Sequence, residues 1–70
     1  MKYKIYKMAK KLYTAIVFMK DINEQPRKYR NISNINSFYL FCEKIGSNYF
    51  NVYDKSTKLF VERIYIKKGQ

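Results

Sequence analysis

Residues 49–66, YFNVYDKSTKLFVERIYI, carry the clearest structural signal in the chain. Two runs rich in aromatic and β-branched residues flank the polar stretch 54–58, a pattern that is typical of a β-hairpin. Asp54 is a favourable first residue for the connecting turn. The sequence therefore predicts two antiparallel strands, over 49–53 and 59–66.

The register of this hairpin decides which of its side chains face the core. If even-numbered residues lie opposite even-numbered ones, an apolar set shares one face of the hairpin. A slip of one residue would bring the charge of Arg63 into the core face, so the even register is favoured, although it also directs Glu62 inwards. The predicted inner face then contains Phe50, Val52, Phe60, Ile64 and Ile66.

Residues 33–46, just before the hairpin, have the periodicity of an amphipathic helix. Ser33 or Asn34 can accept from the free N–H groups of the first turn, and Gly46 suits a left-handed residue after the last turn. We predict a helix over 34–45 that packs on one face of the sheet. Its apolar stripe consists of Ile35, Phe38, Cys42 and Ile45.

The first twenty residues admit two interpretations. Residues 13–18, YTAIVF, favour a strand, and residues 27–32 are expected to pair back on residues 12–20 as a hairpin across the polar loop 21–26. Residues 1–11 would then be a basic arm or an edge strand. A helix is the alternative, because an apolar set recurs at spacings of three and four. That set is Ile5, Met8, Leu12, Ala15 and Met19.

These elements predict one small α+β domain over residues 1–70. It has an antiparallel sheet of three to four strands, including the C-terminal hairpin, and one amphipathic helix on one face. A chain of 70 residues has room for one small core only. It contains no apolar run long enough to span a bilayer and no signal-peptide cleavage site, so we expect a cytoplasmic protein with no membrane partner.

Residue types that carry catalysis or bind metals are scarce. The chain has no histidine, and its lone cysteine, Cys42, excludes an internal disulfide and is predicted to lie in the core. The five carboxylates are scattered over loops, the helix and a strand, and no glycine-rich loop is present to cradle a phosphate. We therefore expect a non-enzymatic protein with no metal and no cofactor.

The net charge of +10 indicates a polyanionic partner, but composition accounts for part of it. Lys, Ile, Asn and Tyr make up 34 of the 70 residues, and all four use codons rich in A and T. Lysine also outnumbers arginine twelve to three, although arginine is the better phosphate ligand. The position of the charges is therefore more informative than their sum. All three arginines fall in two places, residues 27–30 and Arg63.

The predicted outer face of the C-terminal hairpin interleaves aromatic rings with cations. Such a surface is typical of proteins that bind single-stranded nucleic acid, in which bases stack on rings and cations neutralise phosphates. That face consists of Tyr49, Asn51, Tyr53, Leu59, Val61, Arg63, Tyr65 and Lys67. The predicted phosphate contacts are Arg27, Lys28, Arg30, Arg63 and Lys67, and the predicted base contacts are Tyr49, Tyr53 and Tyr65.

Two functions are therefore left open. The favoured one is a binding module for single-stranded or structured nucleic acid, or for a nucleic-acid–protein complex. The alternative is a small regulator or inhibitor from a phage or mobile element that binds a host protein. An anti-defence protein directed against a CRISPR nuclease would be an example. A homodimer formed through the same sheet face belongs to this alternative, in which the tyrosines anchor a protein interface.

Overall fold

The structure is a computed structural model, and it describes residues 11–67. These residues form four strands and one helix: β1 (Tyr13–Met19), β2 (Arg27–Ile32), α1 (Ile35–Lys44), β3 (Ser47–Asp54) and β4 (Phe60–Tyr65). The strands make one antiparallel sheet in the order β2-β1-β3-β4. The predicted α+β architecture is confirmed. The arm or edge strand predicted for residues 1–11 lies outside the described residues except for Lys11.

Strand β1 lies inside the sheet and pairs with both β2 and β3. Its side chains alternate between two faces: Ala15 and Val17 are fully buried, whereas Ile16 and Phe18 are partly exposed on the opposite face. The hairpin of β1 and β2 is confirmed, and the helical alternative is wrong for residues 13–19. Pairing with β3 along the whole strand satisfies the backbone there and overrides the helical spacing.

Helix α1 begins and ends as its sequence predicts. The side-chain Oδ1 of Asn34 accepts from the N–H of Ser37 at 3.0 Å, which is an N-cap hydrogen bond. Gly46 follows the helix with a φ of +81°, and its N–H donates to the carbonyl of Glu43. Among the described residues, no helix is long and apolar enough to cross a membrane.

The core lies between α1 and one face of the sheet, which we call the inner face. Phe38 of the helix packs edge-to-face on Phe50 of β3, with ring centroids 5.0 Å apart. Tyr29 of β2 contacts Phe38 in the same way and extends the core to the edge of the sheet. The buried apolar residues are Ala15, Val17, Ile32, Phe38, Cys42, Phe50 and Val52.

The register of the C-terminal hairpin agrees with the prediction at four of its five residue pairs. Phe50 lies opposite Ile64, but an irregularity follows Val52, and Tyr53 lies opposite Phe60. The extra residue in β4 reverses the alternation of side chains, as a β-bulge does. The prediction that Phe60 faces the core is therefore wrong. Phe60 is 57% exposed, and its ring contacts Tyr53 on the other side of the sheet.

Candidate nucleic-acid interface

The face of the sheet opposite α1, here called the outer face, carries the candidate site. Strand β1 contributes Thr14, Ile16 and Phe18 to this face, because they alternate with the buried Ala15 and Val17. Three residues of β3 lie opposite them in the register: Tyr53, Asn51 and Tyr49. The outer face thus combines β1 with the hairpin residues that the sequence pattern singled out.

An open groove of about 750 Å³ crosses the outer face. Thr14 and Ile16 of β1 lie between residues of β2 and residues of the β3–β4 turn, so β1 forms the middle of this basic groove. Four of the groove residues are cationic, from two segments distant in sequence. The lining consists of Thr14, Ile16, Lys28, Arg30, Asn31, Tyr53, Asp54, Lys55 and Lys58.

Two irregular backbone positions shape the basic groove. The pairing of β1 with β2 shifts register after Tyr13, and Asn31 has a φ of +58°, a conformation that asparagine tolerates. The Nζ of Lys55 donates to Oδ1 of Asn31 at 2.6 Å and links the turn to β2. Lys58 has a φ of +67°, which is uncommon for a residue with a long side chain. Both positions lie in the groove lining.

Asp54 is the only acidic residue in the groove lining, and its charge is compensated. The ammonium of Lys11 donates to one carboxylate oxygen at 2.9 Å, and the N–H groups of Ser56 and Thr57 donate to the other. Lys11 above all, and then the N–H of Thr57, hold the pKa of Asp54 well below its usual range. The groove therefore keeps the positive charge of its four cations.

A second group of side chains on the outer face forms an aromatic cluster of Phe18, Tyr49, Asn51, Arg63 and Tyr65. Phe18 stacks on Tyr49 at 4.8 Å, and the guanidinium of Arg63 lies 4.6 Å from the Tyr49 ring centroid. Phe18 of β1 and Arg63 of β4 thus contact the Tyr49 ring from the two strands that flank β3. The Nε of Arg63 also donates to Oδ1 of Asn51 at 2.9 Å. Tyr65 completes the cluster at 5.4 Å from Tyr49.

The predicted site residues divide into three groups in space. Lys28, Arg30 and Tyr53 line the basic groove, and Tyr49, Arg63 and Tyr65 belong to the aromatic cluster. Arg27 and Lys67 join neither group.

Arg27 lies opposite the buried Val17, and its guanidinium donates to Glu24 at 3.0 Å, away from Lys28. Lys67 follows β4, and its N–H donates to the hydroxyl of Tyr39 on α1. The structure thus brings six of the eight candidates into the basic groove or the aromatic cluster, and Arg27 and Lys67 belong to neither.

The sequence pattern does not identify several residues of the outer face. Lys55 and Lys58 belong to the turn of the C-terminal hairpin. The hairpin pattern alone does not predict where the side chains of this turn lie relative to β2. The pairing of β1 with β3, which brings the turn beside β2, is a long-range contact without a local sequence signal. Phe60 was missed because a β-bulge is not visible in the alternation pattern. The residues added by the structure are Thr14, Ile16, Phe18, Asn31, Lys55, Lys58 and Phe60.

Two other features bear on the chemistry of the chain. No three His, Cys, Asp or Glu side chains within residues 11–67 are grouped as a metal site would require. Cys42 is fully buried, and this burial raises the pKa of its thiol.

A comparison with family models, curated proteins and solved structures found no match for this chain. Function is therefore argued from the surface itself.

Proposed function

We propose that the protein is a binding module for nucleic acid and that the basic groove holds the phosphates. The observation that carries this proposal is the convergence of four cations in one groove. Lys28 and Arg30 come from β2, and Lys55 and Lys58 come from the β3–β4 turn more than twenty residues later. A row of cations beside aromatic rings is the chemistry that binds a sugar–phosphate backbone.

The position of the acidic residues supports the same proposal. Asp21 and Glu24 lie in the loop between β1 and β2, Glu43 lies on α1, and Glu62 lies opposite the buried Val52. None of these four lines the basic groove. The fifth acid, Asp54, does line the groove, but it is paired with Lys11. A bias in codon usage raises the number of lysines but does not by itself keep uncompensated acids out of the groove. Their absence from the lining therefore favours a polyanionic ligand over composition alone.

The dependence of affinity on salt concentration tests this proposal. A variant with Lys55→Gln and Lys58→Gln should bind oligonucleotides more weakly and with a shallower slope of log K against log salt. Each lost phosphate contact reduces that slope by about 0.7 for a single strand and about 0.9 for a duplex. Fluorescence anisotropy between ~50 and ~200 mM salt measures both quantities.

A control variant with Lys20→Gln and Lys44→Gln has the same change in net charge. Both lysines are exposed, and neither lines the basic groove. We expect this control to keep most of the affinity and the slope. Equal losses in the two variants, or the absence of binding to any oligonucleotide at ~50 mM salt, would contradict the proposed site.

A protein partner is the second candidate function, and the exposure of the β4 strand favours it. This strand forms one edge of the sheet made by residues 11–67, and Leu59, Val61 and Tyr65 along it are 67%, 46% and 60% exposed. An edge strand with exposed apolar residues is able to pair with a strand of another protein or of a second copy. Complexes of this kind persist at high salt and after nuclease treatment. Co-purification from the native host under those two conditions separates this function from nucleic-acid binding.

A further inference from the structure

We propose that the ligand of the basic groove is a single strand and that one of its unpaired bases stacks on Phe60. This inference rests on the proposed function and specifies the class of nucleic acid. It starts from a residue whose position the sequence pattern did not reveal.

Phe60 is a large apolar side chain that the fold does not use in its core. Its ring is 57% exposed and lies on the outer face because of the bulge in β4. The ring centroid is 5.8 Å from that of Tyr53, and the planes meet at 72°. Tyr53 itself lines the basic groove. An exposed aromatic residue therefore contacts the lining of the basic groove through Tyr53.

The aromatic cluster around Tyr49 and the Tyr53–Phe60 pair differ in how much ring surface a ligand can reach. Phe18 and the guanidinium of Arg63 both lie against the Tyr49 ring. Phe60 contacts Tyr53 in an edge-to-face arrangement, in which the edge of one ring meets the face of the other, so at least one face of Phe60 is not covered by Tyr53. Phe60 therefore has ring surface available for a base, whereas Tyr49 is already stacked.

The geometry also favours a single strand over a duplex. Bases of a duplex are paired and stacked on one another, so their flat surfaces are not accessible to a protein ring. A single strand can place its phosphates along Lys28, Arg30, Lys55 and Lys58 and turn one base onto Phe60. This combination of a positive groove with an adjoining ring is how proteins hold single strands without reading their sequence.

Fluorescence of a Phe60→Trp variant tests the stacking directly. The chain contains no tryptophan, so the new indole would be the only one, and the exposed position accepts its larger ring. Titration with single strands of about 12 nucleotides, as DNA and as RNA, should quench this fluorescence. The same sequence as a duplex should bind more weakly and quench less.

Affinity measurements on a matched pair of variants complete the test. Phe60→Ala should weaken single-strand binding by about 5- to 150-fold, which corresponds to the loss of one base–aromatic stack. Leu59→Ala removes a neighbouring exposed apolar residue and should change the affinity by less than about twofold. Circular dichroism of both variants should match that of the parent protein, because neither side chain is buried.

The possible results separate this inference from the proposed function. If Phe60→Ala binds like the parent while Lys55→Gln with Lys58→Gln weakens binding, the stacking site is wrong and the phosphate groove stands. Duplex binding as tight as single-strand binding would overturn the inference in the same way. If no oligonucleotide binds even at low salt, the proposed function fails first. Loss of affinity in both variants supports both.

Discussion

The two faces of the sheet come from the same strands but use their side chains differently. On the inner face, Ala15, Val17, Phe50 and Val52 are at most 2% exposed and lie beneath α1. On the outer face, Thr14, Ile16, Phe18, Tyr49 and Tyr53 of the same strands are partly exposed, and cations lie around them. Because neighbouring residues of a strand point to opposite faces, one strand can serve stability and binding at the same time.

Two pairs of aromatic rings make this difference concrete. Phe38 and Phe50 meet at 5.0 Å and 85°, and Tyr53 and Phe60 meet at 5.8 Å and 72°. The arrangement is edge-to-face in both pairs, yet Phe50 is fully buried and Phe60 is mostly exposed. The similar geometry shows that ring contact alone does not indicate a core residue. Burial distinguishes a pair that stabilises the fold from a pair that is available to a ligand.

The largest expected difference between the faces is in stability. Phe50→Ala should lower the free energy of unfolding by about 3–5 kcal/mol, because it removes a fully buried ring and leaves a cavity against Phe38. Phe60→Ala should lower it by about 1 kcal/mol or less, because it removes one exposed cross-strand contact with Tyr53. Urea unfolding followed by circular dichroism measures both values. Similar losses in the two variants would mean that the two faces do not differ in the way described.

A smaller effect is expected at Lys58, where one substitution should raise the stability of the fold and weaken binding. Its φ of +67° is costly for a residue with a side chain and ordinary for glycine. Lys58→Gly should therefore raise the free energy of unfolding by up to about 1 kcal/mol and weaken oligonucleotide binding. Lys55→Gly, at the other groove lysine of the turn, lacks this relief of backbone strain and loses the hydrogen bond to Asn31, so it should lower stability as well as weaken binding. A gain in affinity for Lys58→Gly would contradict the proposed role of this lysine.

The inner face could be predicted from the sequence because its signals are local. The capping asparagine of α1, the spacing of Phe38 and Cys42, and the alternation around Phe50 each involve residues close together in the chain. The outer face depends on pairings between distant segments. Arg30 and Lys55 line one groove only because β3 pairs with β1, which in turn pairs with β2.

Irregular backbone positions account for the remaining differences between the sequence prediction and the structure. A bulge reverses the direction of Phe60, and a register shift accompanies the positive φ of Asn31. The hydrophobic pattern does not reveal the bulge, because Leu59, Phe60 and Val61 are all apolar and fit the alternation with or without an extra residue. Arg27 was grouped with Lys28 by sequence proximity, yet adjacent strand residues face opposite sides. Proximity in sequence is therefore a poor guide to a shared surface on a sheet.

The contribution of Asp54 to the stability of the fold should depend on pH. Its pKa is lowered in the folded state, chiefly by Lys11, so the ionised carboxylate stabilises the fold above the ordinary aspartate pKa of about 3.9. That contribution is lost as the pH falls below this value towards the pKa of the folded state. Asp54→Asn removes the ion pair and this pH dependence together. We therefore expect its urea midpoint to be lower than that of the parent at pH 7, with a difference that shrinks on acidification. A difference that stays constant down to pH ~2 would contradict this role.

The smallest expected effect concerns Tyr49, and it separates the two aromatic sites of the outer face. Tyr49→Leu keeps an apolar residue between Phe18 and Arg63 but removes the aromatic ring. Since Phe18 and Arg63 already contact this ring, a bound base would have to displace one of them to stack on it. We expect the affinity for a single strand to change by less than about twofold, against the fivefold or larger loss expected for Phe60→Ala. Anisotropy titrations of the two variants under one salt condition make the comparison. A loss for Tyr49→Leu as large as that for Phe60→Ala would move the base contact from the edge of the groove to the aromatic cluster.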